Sequence, residues 1–374
     1  MRRLAFGMAA LGLAALLMPG LARAADEPPA LASAKGAEKE RLKGLIEEAK
    51  KEGEVVFIDA LITPVTHDLL AAAFRKHYGL PDSFKVGNTY MAPSGIITRL
   101  EQELRAGRVS FDVGAVASPA WVKARANEGH IMKYDSPEYA NFEKAIAQQR
   151  GIKGLFVQNA AYTFAPTWNS ETLKFEGDSW KDMLKIPKLV PEGRFSTSDV
   201  GVQDSTLLVY MGVRKYLTLD EFKQLADHKP VYTYKSEQTL ARLVSGEDLF
   251  AMYGSGQRIY QFNKKGAKLK NLTPKEGLVL LPQMMWVFAK APHPAAGKLW
   301  FDFMLSQEGQ EIFVKNEYTR SARTGFKSPY DFLPGIAETK TIHMDWLKLT
   351  EEDLQKARDE WATIFHGGKP RKKK

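Results

Sequence analysis

Strand and helix signals alternate with little slack between residues 38 and 117, and that alternation admits very few architectures. Leu42, Leu45, Ile46 and Ala49 recur at the spacing of one helical face, and Gly53 supplies the left-handed stop that ends such helices. Val55-Val56-Phe57-Ile58 then reads as a buried strand. Thr63-Pro64, a capping residue followed by a proline already fixed at a helical φ, opens a helix through Phe74 that ends near Gly79. Residues 84–90 read as a second strand, 96–106 as a helix closed by Gly107, and 111–117 as a third strand. Strands alternating with helices in this way pack as a mostly parallel sheet covered on both faces. Ligands of such sheets bind outside the carboxyl ends of the strands.

With 374 residues the chain is long for one core, and two lobes are expected. At the N-terminus, Arg2 and Arg3 precede an apolar run over residues 4–18 and the small-x-small sequence Ala22-Arg23-Ala24, the form of a cleaved secretory signal. The mature protein is therefore expected to begin at Ala25, in a periplasm, with Sec and twin-arginine export both open. Cysteine is absent, which excludes disulfides, a thiolate nucleophile, Cys-ligated zinc and a lipid-anchor cysteine. The net charge of +9 shrinks on inspection: without residues 1–24 there remain 50 basic and 44 acidic residues, or +6. Setting aside the five basic residues of 369–374 leaves +1. A body this close to neutral lacks the clustered basic face of a nucleic-acid binder, so no nucleic-acid partner is expected. The tail reads as a solvated end.

Toward the C-terminus, Ala291-Pro292-His293-Pro294-Ala295-Ala296 runs into Leu299-Trp300-Phe301-Asp302-Phe303-Met304-Leu305-Ser306-Gln307-Glu308-Gly309-Gln310. Pro294 sets a first helical turn, Leu299, Phe303 and Met304 face a core, and Ser306 caps a second helix. The same string resembles a signature of type II solute-binding proteins that serve bacterial ABC importers, in the branch with ferric, thiamine, polyamine and phosphonate binders. The resemblance extends over residues 42–325. Tyr162-Thr163-Phe164-Ala165-Pro166-Thr167-Trp168-Asn169 is similar to the strand where that family first crosses between lobes, and residues 276–282 to the second crossover. It implies an α/β, two-lobed type II periplasmic binding fold, each lobe a mostly parallel sheet flanked by helices, with two hinge crossovers. Lobe 1 would span 25–163, lobe 2 164–278 and a return to lobe 1 279–325, followed by a C-terminal helical segment over 326–368 and the tail. It further implies a monomer that grips a small solute by hinge closure and hands it to an ABC permease in the inner membrane, with no cofactor, metal or catalytic residue.

The strand-end rule and the resemblance together nominate ligand residues. Asp59 follows the first strand, Ser94 and Gly95 open the helix at 96, and Ser118 follows the third strand. Helix N-terminal amides suit an anion, yet Ser94 and Ser118 are equally ordinary helix caps. In the second lobe the resemblance adds Trp168 on the crossover strand, Ser198 at a strand end, and Asp204 and Ser205 at a helix start. The segment from Ser245-Gly246-Glu247 to Gln257 resembles the one that carries two adjacent tyrosinates in ferric-binding members. Here Gly256 and Gln257 stand in their places, and hard Fe(III) prefers anionic oxygen donors. Tyr253, Ser255 and Gly256 are left as ligand residues, with Gly254-Ser255-Gly256 expected to face Ser94 across a cleft. Arg258 and Arg323 lie near these loops, so a small organic anion is the expected solute. A polyamine would instead use Asp59, Asp199 and Asp204 with Trp168 or Tyr253. No HExxH, GxSxG, P-loop or GxGxxG motif occurs, and the seven histidines show no metal-ligand spacing. Catalytic groups need only meet in space, so a periplasmic enzyme or sensor on the same fold is the alternative.

Overall fold

The computed structural model describes residues 27–368; the expected secretory signal and basic tail lie outside them. Among the described residues twelve strands are formed: β1 (Glu54–Asp59), β2 (Lys85–Tyr90), β3 (Val113–Val116), β4 (Gly151–Ile152), β5 (Phe156–Tyr162), β6 (Phe164–Asn169), β7 (Phe195–Ser198), β8 (Val231–Thr233), β9 (Phe250–Ser255), β10 (Leu269–Asn271), β11 (Leu281–Val287) and β12 (Arg320–Ser321). They make two sheets, one ordered β12-β5-β11-β3-β1-β2 with β4 also on β5, the other β10-β6-β9-β7-β8. Helices flank both.

The two-lobed α/β fold is present, but the expectation of mostly parallel sheets needs correction. Among these strands pairing is parallel only within β2-β1-β3 and within β8-β7-β9. Every other pairing is antiparallel. The cause is the path of the chain. A strand that has just arrived from the other lobe starts at the interlobe boundary and must run away from it, opposite to strands whose carboxyl ends point there. Thus β6 enters the second sheet with Phe164 opposite Ser255, the last residue of β9. Likewise β11 enters the first sheet with Leu281 opposite Tyr162, the last residue of β5. Thr163 alone separates β5 from β6, and residues 272–280 carry the chain back.

Local signals fix these elements. Gly53 (φ 77°) and Gly79 (φ 62°) end the helices Gly36–Glu52 and Pro64–Tyr78 in the left-handed conformation that glycine adopts without strain. The helix Pro294–Leu305 is held at its start by the Glu52 carboxylate, which accepts from the amides of Ala295 (3.0 Å) and Ala296 (2.8 Å). His293 just before it donates its backbone N–H to Asp112 at 2.6 Å. Ser306 caps the next helix, Gln307–Glu317, by accepting from Gly309. The last helix, Glu351–His366, starts with a reciprocal Thr350/Asp353 cap and docks on the second lobe. There its Trp361 is fully buried edge-on to Tyr210, and Glu360 accepts from the Tyr210 hydroxyl and from Arg214.

Candidate functional site

A cleft of about 770 Å³ opens between the lobes. The first lobe contributes Ala60 and Leu61 after β1, and residues 90–95 at the end of β2. The second contributes Gln203, Asp204 and Ser205 beyond β7, residues 234–237 after β8, and Gln257 and Arg258 after β9. Tyr162 and Phe164, on either side of Thr163, form the floor. All these segments sit at the boundary ends of their sheets, where the strand-end rule locates ligands.

Four helices begin at this cleft: Pro93–Arg105, Asp204–Val213, Ser236–Ser245 and Gly256–Lys264. None has a side-chain cap, whereas Thr218, Ser306 and Thr350 cap helices elsewhere. First-turn N–H groups lack intrahelical acceptors and carry partial positive charge, so their convergence makes an environment suited to negative charge. Lys235 adds a cation that makes no ion pair among the described residues. The cleft's acidic groups are engaged by arginines. Asp204 is bound by Arg358 of the C-terminal helix, and Glu237 stands 3.2 Å from Arg258.

Arg258 ties the two lobes together. It springs from the second lobe, is only 4% exposed, and meets the Glu317 carboxylate of the first lobe at 2.9 Å. Its other amine donates to the Leu61 carbonyl (3.3 Å) and the Tyr90 hydroxyl (2.9 Å), both also in the first lobe. Glu317 is fully buried; its other oxygen accepts from the Thr63 amide and hydroxyl, and Gln261 donates to the oxygen that meets Arg258. Tyr162 hydrogen-bonds Ser205 at 2.9 Å, linking the floor to the second lobe. Burial pushes the hydroxyls of Tyr90 and Tyr162 above the ordinary phenol range, away from the tyrosinate form.

Of the residues expected from the sequence, Ser94, Gly95, Asp204 and Ser205 line the cleft. Asp59 lies beneath it, accepting from the amides of Leu61 and Ile62 and from Gln283, so it shapes the Ala60-Leu61 loop without lining the cavity. Burial pushes its carboxyl up to about 7. Ser118 is buried at the start of the helix Pro119–Asn127, and Ser198 is buried at the end of β7. Trp168 packs on Phe175 and Tyr253 is enclosed in β9, both inside the second lobe. Ser255 is fully buried, and Gly256 lines a different cavity.

Gln257 and Arg258, rather than Gly254-Ser255-Gly256, stand in the cleft with Ser94. The Gly256 amide is already spent on the Thr163 carbonyl at 2.9 Å. Gly254 answers a packing need, since a Cβ there would come within 2.1 Å of Thr167 Oγ1. Lys235, Glu237 and Glu317 carried no sequence signal strong enough to nominate them. The strand before Lys235 has three residues, and Glu317 meets Arg258 across 59 positions.

A family model described as bacterial extracellular solute-binding protein matches residues 70–334. None of the curated proteins matches in sequence. Among solved structures, iron-bound HitA from Pseudomonas aeruginosa is similar at TM-score 0.68 and 16% identity, over 83% of this chain and 99% of that one. AfuA from Actinobacillus pleuropneumoniae, with fructose-6-phosphate bound, is similar at TM-score 0.71 and 19% identity, over 83% and 98%. A substrate-binding protein of an ABC transporter from Agrobacterium tumefaciens gives TM-score 0.71 and 13% identity, over 83% and 95%. At these identities the likeness is one of fold.

Proposed function

The chain belongs to the bacterial extracellular solute-binding protein family, and from that premise we propose that it captures a small organic anion in the interlobe cleft and delivers it to an ABC permease. The observation that carries this reading is the convergence of three uncapped helix N-termini, the second and third residues of a fourth helix, and Lys235 on one cavity. The volume exceeds what an inorganic ion needs, and Leu61, Met91, Pro93 and Phe164 offer apolar contact to a carbon skeleton. A sugar phosphate, the class of ligand bound to AfuA, combines both features. Ferric ion fits less well, because the cleft carboxylates Asp204 and Glu237 are engaged by arginines and Arg258 puts a fixed cation beside the Tyr90 hydroxyl.

The mechanism is hinge closure without turnover. A ligand held by amides of both lobes binds the closed form better than the open form and shifts the population by that difference. Arg258 spans the lobes, so its bonds to Glu317 and the Leu61 carbonyl must break when the cleft opens. Among the described residues no helix is long and apolar enough to cross a membrane. A thermal-shift screen of organic anions, polyamines and ferric complexes, followed by calorimetry of the best hit, tests the proposal. An anion should bind without being consumed, and Lys235→Met should weaken it about 10- to 100-fold, the scale of one charge-assisted hydrogen bond. A polyamine or ferric complex as the sole binder, or steady conversion of the anion, would refute it.

A further inference from the structure

Alternate residues of a strand face opposite ways, so Thr163 and Ala165 point away from the cleft that Tyr162 and Phe164 line. They border a second cavity of about 310 Å³, closed by Gly256, by Asn271 to Pro274 of the return crossover, and by residues 332–340. Arg320 of β12 lines it and is 8% exposed. Among the described residues Arg320 makes no ion pair, and its one side-chain hydrogen bond runs from Nε to Thr339 Oγ1 at 3.3 Å. The contrast with Arg258 is sharp, since that equally buried guanidinium has a carboxylate 2.9 Å away. Glu338 also borders the cavity, but it is exposed and not bonded to Arg320. Burial lowers the Arg320 pKa, and Tyr260 is the one neighbour whose charge opposes that shift.

A buried charge in a protein is normally paired. We propose that this cavity behind the crossovers binds a small inorganic oxyanion, of the phosphate or sulfate class, on the two unpaired guanidinium nitrogens of Arg320. The planar fork of those nitrogens matches two oxygens of such an anion. Thr273 and Lys340 line the same space and supply further donors. Because the lining comes from both crossovers and both lobes, an anion held there favours the present lobe arrangement.

The test is thermal melting of the mature protein in chloride, sulfate or inorganic phosphate at matched ionic strength, with calorimetry for stoichiometry. Sulfate or phosphate should raise the parent's melting temperature above that in chloride. Arg320→Met should abolish the rise, while its own melting temperature in chloride equals or exceeds the parent's, because an apolar chain replaces an unpaired buried charge. Ser236→Trp, which fills the interlobe cleft, should keep the rise, so that failure of the cleft reading and failure of this one are distinguishable. No response in the parent, an undiminished response in Arg320→Met, or a response lost in Ser236→Trp alone would overturn the site. A lower melting temperature of Arg320→Met in chloride would do so too, by showing that Arg320 serves the fold itself.

Discussion

Replacing Glu317 with Gln puts an amide nitrogen where an oxygen now accepts from Arg258 and Gln261, turning an attraction into donor against donor. Breaking a buried ion pair typically costs about 3–5 kcal/mol when the surviving charge stays buried. Here it need not stay buried, because Arg258 belongs to the second lobe and Glu317 to the first, and opening the cleft returns the guanidinium to water. Glu237, 3.2 Å from Arg258, also remains to balance it. The loss should therefore fall on closure rather than folding, at the about 2–3 kcal/mol of hydrogen bonds to a charged group. That is a shift of about 30- to 150-fold in the open-to-closed ratio. Small-angle scattering of solute-free protein should show a larger radius of gyration for Glu317→Gln than for the parent. Urea unfolding should show a change below about 1 kcal/mol. Unchanged scattering together with a drop of about 3–5 kcal/mol in folding stability would instead make the pair a core element of the fold.

Two further outcomes follow from named groups. Asp59, with a folded pKa of about 7 against 3.8, holds in the folded state a proton that the unfolded chain releases. Its contribution is full below about pH 4 and falls by about 1.4 kcal/mol per unit as pH rises to about 7, so Asp59→Asn should remove that slope in urea titrations; parallel parent and variant profiles would contradict it. Trp361→Ala should cost about 3–5 kcal/mol and split off a lower-temperature transition of the second lobe in calorimetry, whereas a single transition shifted by less than about 1 kcal/mol would mean the C-terminal helix docks weakly.

Elements with local signals were legible in the sequence. Pro64 and Pro294 start helices, Gly53 and Gly79 end them, and Ser306 makes the cap its position implies. Strand direction was not, since β6 and β11 run antiparallel to their neighbours for a reason that lies in where the chain comes from. At the site, the strand-end rule, which needs only the order of elements, located the helix start at Ser94, while Asp204 and Ser205 came from the resemblance. Side chains within strands could not. Trp168 lies four residues beyond Phe164, about 13 Å along an extended strand, with an irregularity between Ala165 and Thr167 on the way. The Arg258–Glu317 bridge joins a residue at a helix start to one at the end of a helix in the other lobe, and no spacing rule connects them.

If the interlobe cleft holds a small organic anion, that anion should travel with the protein into the gas phase. The decisive measurement is native mass spectrometry of the mature protein incubated with a small-molecule extract of bacterial cells. The spectrum should show one small organic anion per chain, lost in Ser236→Trp while that variant keeps the parent's charge-state distribution. A bound ferric ion or polyamine, an anion that survives Ser236→Trp, or no adduct from any extract would contradict it.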